Sequence, residues 1–237
     1  VPPNFVSDTA KVIRFFGGST MWGTGADDNG TIPALYNQLV PHKIVFNHGE
    51  SGFISRQNIA TLINLINQDK KIDQVVFYDG FNDIQVLCRN EVGINSHPRA
   101  IQINEYIKLA KEYQSGSRLN IFKRFMTAVF VSSTVDLIAA FKGKNVHDDE
   151  SKLFKCCNDD NVLDQIANTL VNNWKIAHNL VTTYGGEFIA ILHPSTYVGN
   201  PTFDERWQQN SQCMQEIHKL VYQKIRRKLD GVTWFYD

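Results

Sequence analysis

The order of its apolar segments limits this 237-residue chain to few folds. Short runs rich in β-branched and aromatic residues alternate with segments whose apolar residues recur at helical spacing. Such alternation predicts a parallel sheet covered by helices, because a helix carries the chain back between two parallel strands. The predicted strands are Val12 to Phe16, Lys43 to Asn47, Gln74 to Tyr78, Glu187 to Leu192 and Val232 to Tyr236.

The connection between the third and fourth strands is far longer than one crossover helix requires. A helical pattern from Val162 to Val181 occupies its last part. The earlier part, Arg99 to Phe141, predicts extra helices, and we expect a helical insertion at about residues 84–160 of a single domain spanning 1–237. Two interpretations of the apolar segment Ile121 to Phe141 remain open: a buried helix, or a lid that contacts an acyl or lipid group.

Charge and apolar length exclude some partners. The chain has 24 Lys and Arg residues against 24 Asp and Glu residues, so it lacks the basic excess that nucleic acid or an anionic membrane attracts. We therefore expect no nucleic-acid partner. The longest uncharged apolar stretch, Phe125 to Val135, is shorter than the roughly 20 residues that a spanning helix needs. Membrane association is expected only through a segment that is not in this chain.

The four cysteines, Cys88, Cys156, Cys157 and Cys213, lack C-x-x-C spacing and lie in no zinc-finger register with histidines. The favoured interpretation is buried or free thiols. Disulfides would instead indicate an oxidising compartment, and their connectivity cannot be read from the sequence.

The residues that follow the predicted strands form the candidate site, because ligands bind outside the carboxyl ends of parallel strands. Ser19 follows the first strand, Gly52 lies in the loop after the second, and Asn82 follows the third. His193 follows the fourth strand and Asp237 the fifth. A hydroxyl, a backbone N–H, an amide, an imidazole and a carboxylate are thus expected at one edge of the sheet.

Each of the first three residues has an ordinary and a catalytic interpretation. Ser19 either caps the next helix or acts as a nucleophile. Gly52 either forms a turn or presents an unobstructed N–H to an oxyanion, the negative oxygen of an acyl-transfer transition state. Asn82 either ties its own loop together or donates from its amide to that same oxygen.

Three segments carry a family resemblance. The chain has Gly17-Gly18-Ser19-Thr20 after the first strand, Gly52 in the second loop, and Gly80-Phe81-Asn82-Asp83 after the third strand. These segments resemble the first three blocks of the SGNH (GDSL-like) hydrolase superfamily. That family has Gly-Asp-Ser in the first block, and Gly-Gly-Ser-Thr is the variant of a bacterial subgroup.

The resemblance implies a flavodoxin-like three-layer α/β/α sandwich with a five-stranded parallel sheet. It also implies Ser19 as the nucleophile, and an oxyanion hole formed by the Ser19 N–H, the Gly52 N–H and the Asn82 side chain. It implies no metal and no organic cofactor.

The last block of the family, Asp-x-x-His, is incomplete here. Asp237 matches its aspartate, and the chain given stops before the histidine that would act as general base. We expect that histidine three residues beyond Asp237. His193 is the alternative base on the correct edge, although a loop histidine before Pro194 is also an ordinary structural residue. His48, in the second loop, is expected to have a surface or structural role.

The sequence therefore predicts a serine esterase that hydrolyses a small acyl ester through an acyl-enzyme on Ser19. Acetyl on a carbohydrate is the first expectation for the substrate and a lipid ester the second, so the expected partner is a small-molecule or glycan ester. A non-catalytic glycan- or partner-binding module on the same scaffold and an O-acyltransferase remain alternatives. A bacterial periplasmic or membrane-tethered location is favoured over a cytoplasmic one.

Overall fold

A computed structural model describes residues 10–90, 92–94, 97, 100–114, 154–199 and 212–237. Strands and helices alternate along these residues as the apolar pattern predicts. The strands are β1 (Val12–Gly17), β2 (Ile44–Asn47), β3 (Gln74–Asp79), β4 (Glu187–Leu192) and β5 (Phe235–Tyr236). The α-helices are α1 (Ser19–Trp22), α2 (Ile32–Leu39), α3 (Ser55–Asn67), α4 (Phe81–Leu87), α5 (Ala100–Gln114), α6 (Asp160–Thr183) and α7 (Gln212–Lys228).

The five strands form one parallel sheet in the order β2-β1-β3-β4-β5. This is the flavodoxin-like order, in which the chain reverses its winding direction at β1 and β3. The crevice above that reversal is where such sheets bind ligands. The predicted fold class, a five-stranded parallel sheet between helices, is confirmed.

Helices cover both faces of the sheet. On one face, the fully buried side chains of Phe77, Leu170 and Trp174 belong to a large apolar core between the sheet and helices α3, α6 and α7. On the other face, Phe15 and Met21 form a smaller cluster against α2. The apolar residues of each element therefore point where the periodicity requires.

Local capping groups decide where several helices begin. The Thr31 hydroxyl accepts from the Ala34 N–H at 3.3 Å at the start of α2, and Pro33 occupies a position in the first turn. The Asp159 carboxylate accepts from the Asn161 N–H at 2.9 Å at the start of α6. Strand β5 is shorter than predicted, because the Val232 N–H bonds back to the Leu229 carbonyl and closes a turn after α7.

The favoured interpretation of the cysteines is wrong. Cys88 is bonded to Cys156 and Cys157 to Cys213, and no cysteine is free within the described parts of the chain. The Cα atoms of the pairs lie 5.2 and 5.6 Å apart, within the range a disulfide requires. A 3₁₀ turn at Lys155–Asn158 holds two adjacent cysteines whose side chains reach the end of α4 and the start of α7.

Most of the predicted insertion, including Ile121 to Phe141, lies outside the described residues. The described part of the insertion contains helix α5, as predicted. No helix among the residues that the structure describes has the length and apolarity needed to cross a membrane.

Candidate active site

A small cavity of about 20 Å³ opens at the carboxyl edge of the sheet, between the loops that follow β1, β2, β3 and β4. It has room for about one water-sized group. Ser19 contributes from the start of α1, Asn82 from α4 and His193 from the end of β4. The structure thus brings together three side chains that the sequence placed at this edge. The other cavity residues include Gly18, Thr20, Phe53, Tyr78 and Phe81.

Gly18 explains how Ser19 and Asn82 meet. A Cβ atom built on Gly18 would lie only 2.2 Å from the Asn82 Nδ2 atom, so the amide occupies the space where another residue would have its side chain. The same amide nitrogen donates to the Phe53 carbonyl at 2.9 Å, which leaves its second N–H available. Gly18 therefore permits an amide donor beside the backbone that carries the Ser19 hydroxyl.

The second predicted donor, Gly52, precedes Phe53 and is not among the residues that line the cavity. Its φ angle of +76° is one that glycine adopts easily, and a Cβ atom built on it would meet nothing within 4 Å. Within the described residues, neither the Gly52 N–H nor the Ser19 hydroxyl has a hydrogen-bond partner. Both groups are therefore free to bind a ligand.

Asp83 holds the second loop against the third, a role that the sequence did not reveal. Its carboxylate accepts from the Ser55 N–H at 3.2 Å and from the Ser55 hydroxyl, and the Asn173 amide donates to that hydroxyl at 2.8 Å. Ser55 begins α3, directly after the loop that contains Phe53. This contact sets the distance between Phe53 and Asn82, although Asp83 itself carries no predicted chemistry.

Asp79, at the end of β3, is a second buried carboxylate beneath the cavity. It accepts from the Asn58 amide at 2.6 Å and from the Trp174 indole N–H at 3.1 Å. Burial, followed by the charge of Asp83, raises the pKa of Asp79 well above its usual range. Burial also raises the pKa of Asp83 to about 6, against the opposing effect of its Ser55 hydrogen bonds. These donors hold both carboxylates in place at the floor of the cavity.

His193 enters the cavity but bonds to Thr20. Its Nε2 atom lies 2.9 Å from the Thr20 hydroxyl oxygen, and its ring packs against Tyr78 at a centroid distance of 4.6 Å. Burial lowers the pKa of His193 and so favours its uncharged form, against the opposing effect of nearby backbone groups. Its buried Nδ1 atom has no hydrogen-bond partner in the described chain. The His193 imidazole therefore lines the cavity, and its hydrogen bond goes to Thr20, the residue after Ser19.

Asp237 lies at the same edge but outside the cavity. The Arg226 guanidinium on α7 donates to both of its carboxylate oxygens, with 2.9 Å from Nη2 to Oδ1. A neighbouring α7 residue, Tyr222, donates its hydroxyl proton to the His193 carbonyl. Helix α7 therefore anchors the loops after β4 and β5 together. The role of Asp237 in orienting a histidine stays a prediction.

His48 is structural, as the sequence analysis expected. Its Nε2 atom lies 3.1 Å from the Arg14 guanidinium, and its ring stacks on Phe16 at a centroid distance of 4.9 Å. Burial and then the Arg14 charge lower the pKa of His48 to about 4. These contacts hold the His48 ring against β1.

His218 on α7 is fully buried behind the cavity. Its Nδ1 atom lies 3.2 Å from the Ser195 hydroxyl oxygen and its Nε2 atom 3.3 Å from the Gln85 amide nitrogen. The Phe81 ring lies between this side chain and His193, with centroid distances of 5.0 and 5.7 Å. Burial and then His193 lower the pKa of His218 to about 3.

This buried histidine predicts an acid-sensitive fold. Its pKa in the folded state lies below the unfolded value of 6.5, so its contribution to stability is complete above pH 6.5 and is lost as the pH falls towards 3. The loss is about 1.4 kcal/mol for each pH unit below about pH 6. We expect His218→Gln, which keeps hydrogen-bonding capacity, to have a shallower decline of unfolding free energy between pH 7 and 5. Urea unfolding at several pH values measures this decline, and His42→Gln, at an exposed position, is the control. If the unfolding free energies of wild type and His218→Gln fell in parallel with pH, the prediction would be wrong.

No group of three or more His, Cys, Asp or Glu side chains in the described residues is arranged to hold a metal ion. The side chains that line the cavity include a hydroxyl, an amide, an imidazole and two carboxylates.

Comparisons with known proteins give similarity in structure alone. No family model and no curated protein matches the chain. Among solved structures, phospholipase A1 from Streptomyces albidoflavus NA297 is 13% identical, with a TM-score of 0.47 over 96% of this chain and 78% of that one. The acetylxylan esterase Axe2 from Geobacillus stearothermophilus is 16% identical, with a TM-score of 0.41 over 96% and 75% of the two chains. Both names describe ester hydrolases, and similarity at this level transfers no activity to the present chain.

Proposed function

We propose that this protein is a serine esterase of the SGNH type. The observation that carries the proposal is the contact between Asn82 and Gly18. It puts an amide donor beside the backbone that carries the Ser19 hydroxyl, which has no hydrogen-bond partner in the described residues, although Asn82 and Ser19 belong to loops far apart in the sequence. A hydroxyl and a neutral donor around one cavity supply the nucleophile and the oxyanion stabilisation of acyl transfer from an ester, which also needs a base.

In the proposed reaction, the Ser19 Oγ atom attacks the ester carbonyl carbon while a base takes its proton. The Asn82 amide and the Ser19 N–H donate to the oxygen that becomes negative, and the N–H of Gly52, the residue before the cavity-lining Phe53, is the third proposed donor. The proton then passes to the leaving alcohol, and water releases the acid from Ser19. Acetyl on a carbohydrate remains the first substrate expectation.

The proposed base is a histidine that follows Asp237. Arg226 already pairs with the Asp237 carboxylate, but a carboxylate has about four lone-pair sites and keeps capacity for one imidazole N–H. His193 is the alternative, since its ring lines the cavity. The encoded residues after Asp237 decide between them: a histidine three positions on supports the first, and none within several residues favours His193 or the non-catalytic binding module.

Covalent labelling tests the proposal directly. A serine-directed fluorophosphonate should react with the full-length protein, and peptide mass mapping should find the adduct on Ser19. The Thr20 hydroxyl serves as an internal comparison, because it is the next residue and already contacts His193. An adduct on Thr20, or no adduct under conditions that label a known serine esterase, would refute Ser19 as the nucleophile.

Asn82 is expected to act on the rate of the chemical step. Because an oxyanion donor works in the transition state, we expect Asn82→Ala to lower kcat by about 10²- to 10³-fold with a small change in KM. Steady-state kinetics on a short-chain aryl ester measure this, with the exposed Asn67→Ala as a matched control. A change in KM alone would show that Asn82 only positions substrate.

A further inference from the structure

A second depression, which we call the α1–α2 groove, begins one helical turn from Ser19. Its volume is about 510 Å³, within the range of about 300–1,000 Å³ that small-molecule sites occupy. Trp22, the last residue of α1, forms one end, and the rest comes from the α1–α2 connection, α2 and β2. The groove therefore includes the last residue of the short helix that begins with the proposed nucleophile, and it shares no lining residue with the cavity at Ser19.

One part of the α1–α2 groove is apolar. The Trp22 side chain is 54% exposed beside Pro33, Ala34 and Val45. A tryptophan gains much free energy from burial, so one left half exposed at the border of a groove indicates a surface that a ligand covers.

The other part offers unused polar groups. Within the described chain, the side chains of Asp28 and Asn37 have no hydrogen-bond partner. Thr31 and Asn47 differ, because their side chains bond to the Ala34 N–H and the Met21 carbonyl. None of the described residues that line the groove is basic. The ligand should therefore contain hydroxyl or amide groups and no negative charge.

We infer that the α1–α2 groove binds a neutral sugar residue. The C–H face of a pyranose packs on an indole, while its hydroxyls donate to a carboxylate such as Asp28 and accept from an amide such as Asn37. An acyl chain would bury both polar side chains without partners, which is costly, and a phosphate would be repelled by Asp28. As part of the substrate, which rests on the proposed function, this sugar would bring an ester on the neighbouring sugar to Ser19.

Binding measured without catalysis tests this inference. Isothermal titration of full-length protein with xylotetraose, cellotetraose and maltotetraose should give saturable binding of at least one. We expect Trp22→Ala to weaken that binding at least about tenfold and Asn37→Ala about fivefold. Tyr184→Ala, another exposed aromatic residue, should leave it unchanged. Circular dichroism verifies the fold of each variant, and exposed Asn37 keeps the test valid should Trp22→Ala fail to fold.

The outcomes separate this inference from the proposed function. The inference would be overturned if none of the three sugars bound, or if Trp22→Ala and Asn37→Ala bound sugar as tightly as wild type. Binding of octanoate at the groove instead of sugar would also overturn it, whatever the esterase activity. Sugar binding that depends on Trp22 and Asn37, in a protein that hydrolyses no ester, would support the groove and refute the esterase.

Discussion

The Ser19→Ala variant is expected to lose at least about a thousandfold in kcat on a short-chain aryl ester, because removal of the nucleophile abolishes the acyl-enzyme route. The remaining rate would come from the oxyanion donors and from substrate binding, neither of which needs the hydroxyl. Since the Ser19 hydroxyl has no hydrogen-bond partner in the described residues, its loss should not destabilise the fold.

A second serine variant provides a matched control for Ser19→Ala. Ser51 lies in the second loop and is exposed, so Ser51→Ala should retain the wild-type rate. Full-length wild type, Ser19→Ala and Ser51→Ala are compared by initial rates, together with their thermal midpoints. Equal rates for wild type and Ser19→Ala would remove Ser19 from its proposed role and leave only the α/β scaffold.

Reduction of the two disulfides is expected to produce the largest loss of stability. They join residues 68 and 56 positions apart, and the chain-entropy account assigns about 4 kcal/mol to loops of that length, with about 2–4 kcal/mol each typical of measurements. Domains have only about 5–15 kcal/mol in total. We expect a thermal midpoint at least about 10 °C lower in reductant.

The measurement compares thermal unfolding with and without reductant, alongside a Cys157→Ser/Cys213→Ser double variant. That variant should retain one disulfide and unfold between the two wild-type values. Detection of four free thiols in protein denatured without reductant would contradict the presence of the two disulfides. A thermal midpoint that reductant leaves unchanged would contradict their contribution to stability. Because disulfides persist in oxidising surroundings, they also favour an extracytoplasmic location.

Loss of the disulfides should also affect the candidate active site. Cys88 follows α4, the helix that carries Asn82 near its start, and Cys213 lies in α7, which holds the His193 carbonyl through Tyr222. The disulfides therefore connect the elements that frame the cavity. We expect the double variant to retain aryl-ester hydrolysis at low temperature and to lose it at a lower temperature than wild type.

Residues with local signals were predictable. Strand β4 lies at its predicted bounds, and β1 to β3 differ by one residue at one end, because apolar periodicity and terminal glycines act within a few residues. Strand β5 was predicted too long, because a turn bond from Val232 has no distinct sequence signal. The position of Ser19, Asn82 and His193 at one edge followed from strand direction alone.

Partners in tertiary contacts were not predictable. Asp83 with Ser55, Thr20 with His193 and the two cysteine pairs are separated by 28 to 173 positions. Nothing in the residue types distinguishes the partner of Cys88 from the other cysteines. The α1–α2 groove likewise combines residues of two helices, the loop between them and an edge strand, none of which forms a motif alone.

The sequence by itself determined the parallel α/β architecture and the edge at which its chemistry lies, because hydrophobic periodicity and strand direction are properties of short segments. Only the tertiary structure decided that the Asn82 amide fills the space beside Gly18, that Phe53 rather than Gly52 lines the cavity, and that the cysteines pair. Those relations depend on distances of a few ångströms between distant segments, which the packing of helices on the sheet sets.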